Sequence, residues 1–515
     1  MERHAKIVLM LIATLAAAAV HASSDTLHQY GISAPLRQLA VYPWPGKPGD
    51  LADPGVRLTG ARRVGLPADA ISELASMAPR RYVDTGGTQR NLDGLGDAGG
   101  GVSGAVGAEQ YVQAAGGAIA IHAKDTGRLM LGPTKINAIF YDAPAGPAMN
   151  ACRTQRVHDG ALLYDQLANR WIASYLAAPT LAAGAAYYQC IAISVGADAA
   201  GRYFRYAIEL KTPHGAPQFA DDAKIALWPD AYYFAFSLFD GAEGEYLGPR
   251  ICGLDRHALA IGADAMLRCR DPGAAVGPLS PAGMEGYHPP DGNPGALFFG
   301  LDHAAGTMQA WSFSWSSSVL SGPTAIRIPD FVVIHGVLQP WPGPALPALG
   351  DRLAPRAIYR NIKGRETLVT NHTVLLPGAE AGVRWYEIGD PFGAPYLIQY
   401  GTIGGAESRF NGSIGVDRSG NITLGYSVAS ADTPPGIRYT GREPGDPFGL
   451  MQAEEVIVNG AGVLLGDSQA ARATGAMALD PIDGCTFWYT QRYVPLSGPA
   501  SARTRIANFR FRSCH

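Results

Sequence analysis

Charge is scarce in this sequence. Of 515 residues only 41 are basic and 44 acidic, a charged fraction of 17% and a formal net charge of −3. A usual share is about 25%. Such a balance lacks the basic excess that nucleic acid or an anionic membrane attracts. Helical periodicity is also scarce. Residues 67–77 are the best candidate, about three turns long. Pro67 suits a first helical position, where the missing N–H costs nothing. Several chemical signatures are missing too. There is no Cys-x-x-Cys, and His does not cluster near the cysteines, which argues against structural zinc. There is no Gly-x-Ser-x-Gly elbow, no His-Glu-x-x-His and no phosphate loop ending in Lys-Ser/Thr. What the chain has instead is turn residues. Gly and Pro make up 102 positions, roughly one in five against about 12% ordinarily. Gly does not recur at every third position, so collagen is excluded. The hydrophobic fraction of 47% excludes a disordered chain. Many short strands and many turns, an all-β class, remain.

Residues 1–22 read as a secretory signal peptide. Arg3 and Lys6 precede the apolar run from Ile7 to Val20, and small residues reach Ala22. That run is shorter than the ~20 residues of a membrane span. Removing it takes the net charge to −4 and predicts a secreted or periplasmic protein with no membrane attachment. Residues 23–104 form a Gly/Pro-rich extension, with a short strand expected near Arg37 to Val41. Six cysteines (Cys152, Cys190, Cys252, Cys269, Cys485 and Cys514) suit disulfides in an oxidising compartment. Fifteen connectivities are open, the sequential one being the simplest.

From residue 105 to 515 the chain repeats a theme: an apolar strand ending in Asp, a turn, then an aromatic-rich strand. Ala161 to Asp165 then Arg170 to Tyr175 is one example; Ser413 to Asp417 then Asn421 to Tyr426 is another. Asp suits this place because its carboxylate accepts backbone N–H groups two residues on. First strands are expected near residues 105, 160, 224, 287, 353, 411 and 475. That spacing near 60, with about four strands per unit, predicts a β-propeller of seven four-stranded blades. Six or eight blades, or a double sheet without radial repetition, are the alternatives. The last unit shows only three strands before the C-terminus, so an N-terminal strand is expected to close the ring.

Nine stretches carry a family resemblance: Tyr164-Asp-Gln-Leu-Ala-Asn-Arg-Trp171, Tyr188-Gln-Cys-Ile-Ala-Ile-Ser194, Trp228-Pro-Asp-Ala-Tyr-Tyr233, Gly350-Asp-Arg-Leu353, Tyr359-Arg-Asn361, Asn371-His372, Gly382-Val-Arg-Trp-Tyr-Glu387, Ile437-Arg-Tyr-Thr-Gly441 and Cys485-Thr-Phe-Trp-Tyr-Thr-Gln491. With them the chain resembles a family of secreted bacterial β-propeller proteins of uncharacterised activity. The strand-Asp-turn pattern is loosely similar to the Asp box of sialidases, a turn motif also found in non-enzymes. The resemblance implies an Arg-Trp-Gly-Asp-Tyr-like stretch before the last inner strand. This chain has Ala471-Arg-Ala-Thr474 there instead, so a carboxylate carried by that stretch would be missing.

In a propeller, loops entering the inner strands converge on one face, where ligand sites form. The polar residues at those entrances are His158 and Asp159; Asp221, Asp222 and Lys224; Asp351 and Arg352; Arg409 and Asn411; and Asp467 and Arg472. Two functions follow. In a glycan-active hydrolase or lyase, Asp159, Asp222 and Asp351, with His372, are the catalytic candidates, since glycoside cleavage uses paired carboxyl groups. Arg352, Arg384 and Arg409 could hold an acidic sugar's carboxylate by forked hydrogen bonds, and Tyr232 and Tyr386 could stack on sugar rings. The other class is a non-catalytic propeller that binds a glycan, surface or protein partner. Each residue also has a structural reading: turn-closing Asp, an Asp351–Arg352 ion pair, a strand His that only hydrogen-bonds, or a packed strand face. No cofactor is expected. Calcium is the one metal that Asp-rich turns suit, and no tight D-x-D-x-D loop supports it. A monomer that binds an extracellular glycan or surface ligand, and no nucleic acid, is expected.

Overall fold

The computed structural model describes residues 21–41, 83–96, 101–178, 186–211, 218–240, 244–292, 294–466 and 474–515. The helix expected at 67–77, nearly all of the leader, Asp467 and Arg472 lie outside the described residues. The chain is mostly β. Its strands form successive antiparallel meanders. The first contains Val102–Val106, Gln110–Ala115, Ala118–Ala123 and Leu129–Lys135. The second contains Arg156–Asp165, Arg170–Ala178, Tyr187–Ser194 and Tyr203–Leu210. The third contains Gln218–Leu227, Ala231–Asp240, Tyr246–Asp255 and Ala265–Asp271, with His21–Leu27 added at its outer edge. Next comes one eight-stranded sheet that divides at a parallel seam. Ser280–Met284, Ala296–Asp302, Thr307–Ser314 and Val319–Arg327 make its fourth meander. Ala357–Ile362, Arg365–Leu375, Ala381–Gly389 and Tyr396–Ile403 make the fifth, joined through Ala282–Met284 against Ala357–Tyr359. The sixth contains Ser408–Val416, Ile422–Ala429, Gly436–Arg442 and Glu455–Val458. The last contains Ala476–Leu479, Phe487–Tyr493 and Arg503–Phe509, with Arg90–Gly96 paired antiparallel to Arg503–Phe509.

The seven first strands lie beside one another in order. Val102–Val106 contacts Arg156–Asp165, each later first strand contacts the next, and Ala476–Leu479 contacts Val102–Val106 again. Second and third strands such as Ile422–Ala429, Ala381–Gly389 and Phe487–Tyr493 are buried along their whole length. Both of their faces pack on neighbouring sheets, so their sequences read as apolar runs without alternation. Fourth strands differ: Val319–Arg327 is largely exposed, whereas Tyr203–Leu210 is buried except at Glu209.

Two expectations are corrected. The strand expected at Arg37 to Val41 is instead a short helix, Leu36–Leu39, which starts after Pro35 and buries Leu36 and Leu39. The fourth first strand was placed near residue 287 but runs Ser280–Met284. Ser-Pro-Ala-Gly-Met is too short and too rich in Pro and Gly to show period-2 alternation. Turn-closing aspartates behave as expected. Asp165 Oδ1 accepts Leu167 N and Ala168 N, and Asp417 Oδ1 accepts Ser419 N and Asn421 N. Asp480 does more. It caps its own turn at Ile482 N and pairs with Lys124 of the first meander at 3.0 Å. The expected result of Lys124→Met is a modest loss of stability, about 1 kcal/mol, read as a lower urea midpoint with unchanged slope.

The disulfides follow the sequential pairing: Cys152–Cys190, Cys252–Cys269 and Cys485–Cys514. Three such bonds suit an extracellular setting. No helix among the described residues is long and apolar enough to cross a membrane.

Candidate functional site

A channel of about 140 Å³ runs between the first strands. Its lining comes from six of the seven meanders, including Ser103, Gly160, Asp222, Arg352, Ser413 and Thr474. His158, Asp221, Asp222, Lys224, Arg409 and Asn411 lie on the first strands, whereas Asp351 and Arg352 precede theirs, Ala357–Ile362. Three first strands carry a register irregularity at the same height. It falls between His158 and Ala161, between Asp221 and Lys224, and between Phe410 and Ser413. Such a bulge bends the strand and re-aims a side chain. Asp222 (φ 57°) and Asn411 (φ 53°) occupy left-handed backbone there, a conformation that Asp and Asn tolerate better than most residues.

Charge gathers at this height. Arg352 is the hub. Its Nη1 lies 3.1 Å from Asp222 Oδ2, and its Nε and Nη2 fork onto Asp351 at 3.0 and 2.9 Å. Burial alone would push the guanidinium down, but Asp351, Asp222 and Asp221 outweigh it and raise it further. Lys224 pairs with Asp222 at 2.9 Å and gives another N–H to Leu279 O at 3.1 Å. His303 touches the Asp351 carbonyl at 3.0 Å. Asp222, Arg352 and His372 also border a smaller cavity of about 30 Å³ beside the channel.

Of the expected site residues, the structure brings together Asp222, Asp351 and Arg352, with His372 next to them. The side chain of Asp159 lies outside the described residues; its backbone is on Arg156–Asp165, at the irregularity. The remaining candidates are placed elsewhere. Arg384 donates through Nε to Thr402 Oγ1 and through Nη1 to Pro329 O and Asp330 O, which turns it onto its own sheet and the preceding loop. Tyr386 is fully buried with its hydroxyl 2.8 Å from His372 Nε2, and cannot present a face to a sugar. Arg409 forks onto Glu454 at 3.2 and 2.8 Å, in a network with Glu407 and Arg438. Tyr232 is buried and donates to Asp165 Oδ2 at 2.6 Å, which also receives Arg256 Nε at 2.7 Å. Arg384, Tyr386 and Tyr232 sit on second or third strands, where side chains meet the neighbouring sheet and not the channel. Arg409 is on a first strand, but ion pairs around its own meander hold its guanidinium.

His372 is buried against Phe331 and Tyr386. Burial first, then the charge of Arg384, lowers it from 6.5 to about 3. That direction is away from the value near 7 that suits a base at neutral pH. A depressed histidine contributes stability that is present above pH 6.5 and lost as pH falls toward about 3. Asp417, raised by burial to about 6, works in the opposite sense: its contribution is present below 3.8 and lost as pH rises through 6. The readout is therefore the difference between parent and His372→Gln. The parent should lose up to about 1.4 kcal/mol more per pH unit over this window, measured by urea midpoints at several pH values.

Sequence reasoning did not name the far end of the channel. Glu285 directly follows the fourth first strand. The next residues reach meanders that are not neighbours of their own: Gln166 Nε2 donates to Gly286 O, and Tyr287 donates to Pro481 O at 3.3 Å. This segment ties the fourth meander to the turns of the second and the last. Arg356 lines the channel and reaches Glu285 Oε1 at 3.1 Å. The available signal was alternation, because Arg356, Ile358 and Arg360 share one side of their strand. Among the described residues no group of three or more His, Cys, Asp or Glu is placed to hold a metal ion.

No protein-family model and no curated protein matches this chain. Solved structures resemble it distantly. An unknown-function protein from Dyadobacter fermentans is 10% identical, with 69% of this chain and 95% of that one covered and a TM-score of 0.38. The Trypanosoma rangeli sialidase with the inhibitor DANA is 8% identical, covers 82% and 60%, and scores 0.36. The endo-arabinase of Bacteroides thetaiotaomicron is 10% identical, covers 69% and 94%, and scores 0.30. Likeness at this level transfers no activity.

Proposed function

We propose that the chain is a secreted, seven-bladed β-propeller, closed by the strand Arg90–Gly96, that recognises an extracellular carbohydrate at its channel mouth. The unbroken succession of first-strand contacts supports the ring. So does the antiparallel pairing of Arg90–Gly96 with the last meander. One observation carries the function: Asp222, Arg352, Asp351 and Lys224 form a partly buried chain of charge beside the channel. Carboxylates and guanidinium groups side by side offer both acceptors and donors to a ring of hydroxyl groups. The channel is smaller than the ~300–1,000 Å³ of a drug-sized ligand site, so it suits one inserted ring or branch. Both carboxylates already hold Arg352, whereas glycoside cleavage needs a carboxyl able to deliver a proton. Binding is therefore the function, and turnover is what the test must detect.

The test is a glycan panel run twice, once for binding and once for release of reducing ends or unsaturated products. Binding without turnover, unchanged in kind by Asp351→Asn, is expected. Turnover that disappears in Asp351→Asn while binding persists would replace recognition with catalysis.

A protein or surface partner is the second reading, and exposed apolar side chains favour it. Trp341 is 91% exposed on the hairpin Gly336–Val337/Leu346–Pro347, with Leu338, Leu465 and Leu496 also exposed. Gln339 fixes this hairpin to Leu464 through bonds of 3.0 and 2.9 Å, and Leu465 N binds Gly498 O. Under this reading Trp341→Ala abolishes capture of a protein partner. Under the carbohydrate reading it leaves binding of a single sugar ring intact.

A further inference from the structure

Two guanidinium groups with unspent hydrogen-bonding capacity lie at one end of the channel, Arg356 in its lining and Arg360 buried behind it. Arg356 and Ile358 line the channel. Strand side chains alternate, so Arg360 faces the same way one step deeper. The buried Nε of Arg356 has no acceptor among the described residues, and neither do Nε and Nη1 of Arg360, which is 5% exposed. Glu285 takes one Arg356 N–H, yet its own Oε2 is buried without a donor. Arg356 thus meets that carboxylate through a single N–H. The direction of the two arginines is legible from two glycines. A Cβ on Gly286 would lie 2.4 Å from Arg360 Nη1, and one on Gly283 would lie 3.5 Å from Arg356 Nη2.

Glu285 and Asp417 are the carboxylates whose charge acts on Arg360. Burial pushes Glu285 above the usual range and Asp417 up to about 6. Asp417 already accepts Ser419 N, Asn421 N and Asn421 Nδ2. A buried cation without acceptors is costly, and forked N–H groups match the geometry of an oxyanion.

We infer that the lower channel is an oxyanion subsite, in which Arg356 and Arg360 receive a carboxylate or sulfate group. Its chemistry stands on these two residues. That the group arrives on a sugar rests on the carbohydrate reading, which then narrows to acidic glycans.

The test is calorimetric titration and thermal melting of the mature chain, using sodium sulfate, glucuronate and glucose as probes in chloride of matched ionic strength. Because sulfate also stabilises proteins by exclusion, the signal sought is saturable at millimolar concentration. Sulfate and glucuronate are expected to raise the melting temperature and glucose is not, and Arg356→Gln should abolish both shifts. Arg360→Met keeps the experiment readable if Arg356→Gln folds poorly. A guanidinium kept for ligand and not for structure can be replaced by an apolar isostere without loss. This variant should therefore melt at or above the parent in anion-free buffer while losing the sulfate response. Sulfate binding without glucuronate binding would uphold the subsite and overturn its carbohydrate source. No saturable response, or one that survives both variants, would overturn the subsite.

Discussion

A chain that begins at Gly101 is expected to lose cooperative unfolding near physiological temperature, whereas one that begins at Val83 keeps it. Both lack His21–Leu27, and they differ in the strand Arg90–Gly96. That strand pairs Arg90 to Asp93 with residues 505–508, and Gly96 with Arg503. Its Leu95 is buried, and Leu95 N donates to Gln113 Oε1 in the first meander at 2.9 Å. Asn91 reaches the sixth meander through Ile457 O at 2.8 Å. One short strand thus touches three sheets. Ladder bonds at about 1 kcal/mol each, with Leu95 at about 2 kcal/mol, sum to about 5–8 kcal/mol. That is comparable to the whole stability of a typical domain, about 5–15 kcal/mol. Removal would also bare the edge of Arg503–Phe509, a template for aggregation. A peptide of residues 88–96 added in trans should restore part of the melting temperature by strand addition. Equal melting of the two chains would contradict closure.

Arg352→Ala carries the second large effect. It removes the cation shared by Asp222, which lines the channel, and Asp351, while Lys224 stays paired with Asp222. Breaking a buried ion pair from one side costs about 3–5 kcal/mol. The two carboxylates keep some contact with solvent, with 21% and 25% of their side chains exposed. The lower end, about 3 kcal/mol, is therefore expected as a drop in the urea midpoint. Arg352→Lys should recover less than half of it, because an ammonium cannot fork onto Asp351 while reaching Asp222. A double variant, Arg352→Ala with Asp222→Asn, should be more stable than the single one. A single variant within about 0.5 kcal/mol of the parent would show that the cluster is not a coupled unit.

The meanders were legible because their chemistry is local. In residues 356–403 the four strands fall within a few residues of where alternation and turns put them. Ser280–Met284 escaped because Pro and Gly erase the pattern in a strand held by its parallel partner. The site was legible only in part, and side-chain direction explains the difference. Residues on first strands, such as Asp222, face the channel. Arg384, Tyr386 and Tyr232 carry equally suggestive chemistry, but they lie on second and third strands whose faces pack against neighbouring sheets. Nothing in a single strand's sequence distinguishes those two environments.

The most direct test of the account is a titration of the best-binding glycan from the panel against the parent and Thr474→Trp. Thr474 lines both cavities, and an indole there would fill the mouth without removing any charged group. The account predicts binding weakened about 100-fold, close to 3 kcal/mol, with an unchanged melting temperature. Unchanged affinity in the folded variant would show that the ligand binds elsewhere and would contradict a channel-mouth site.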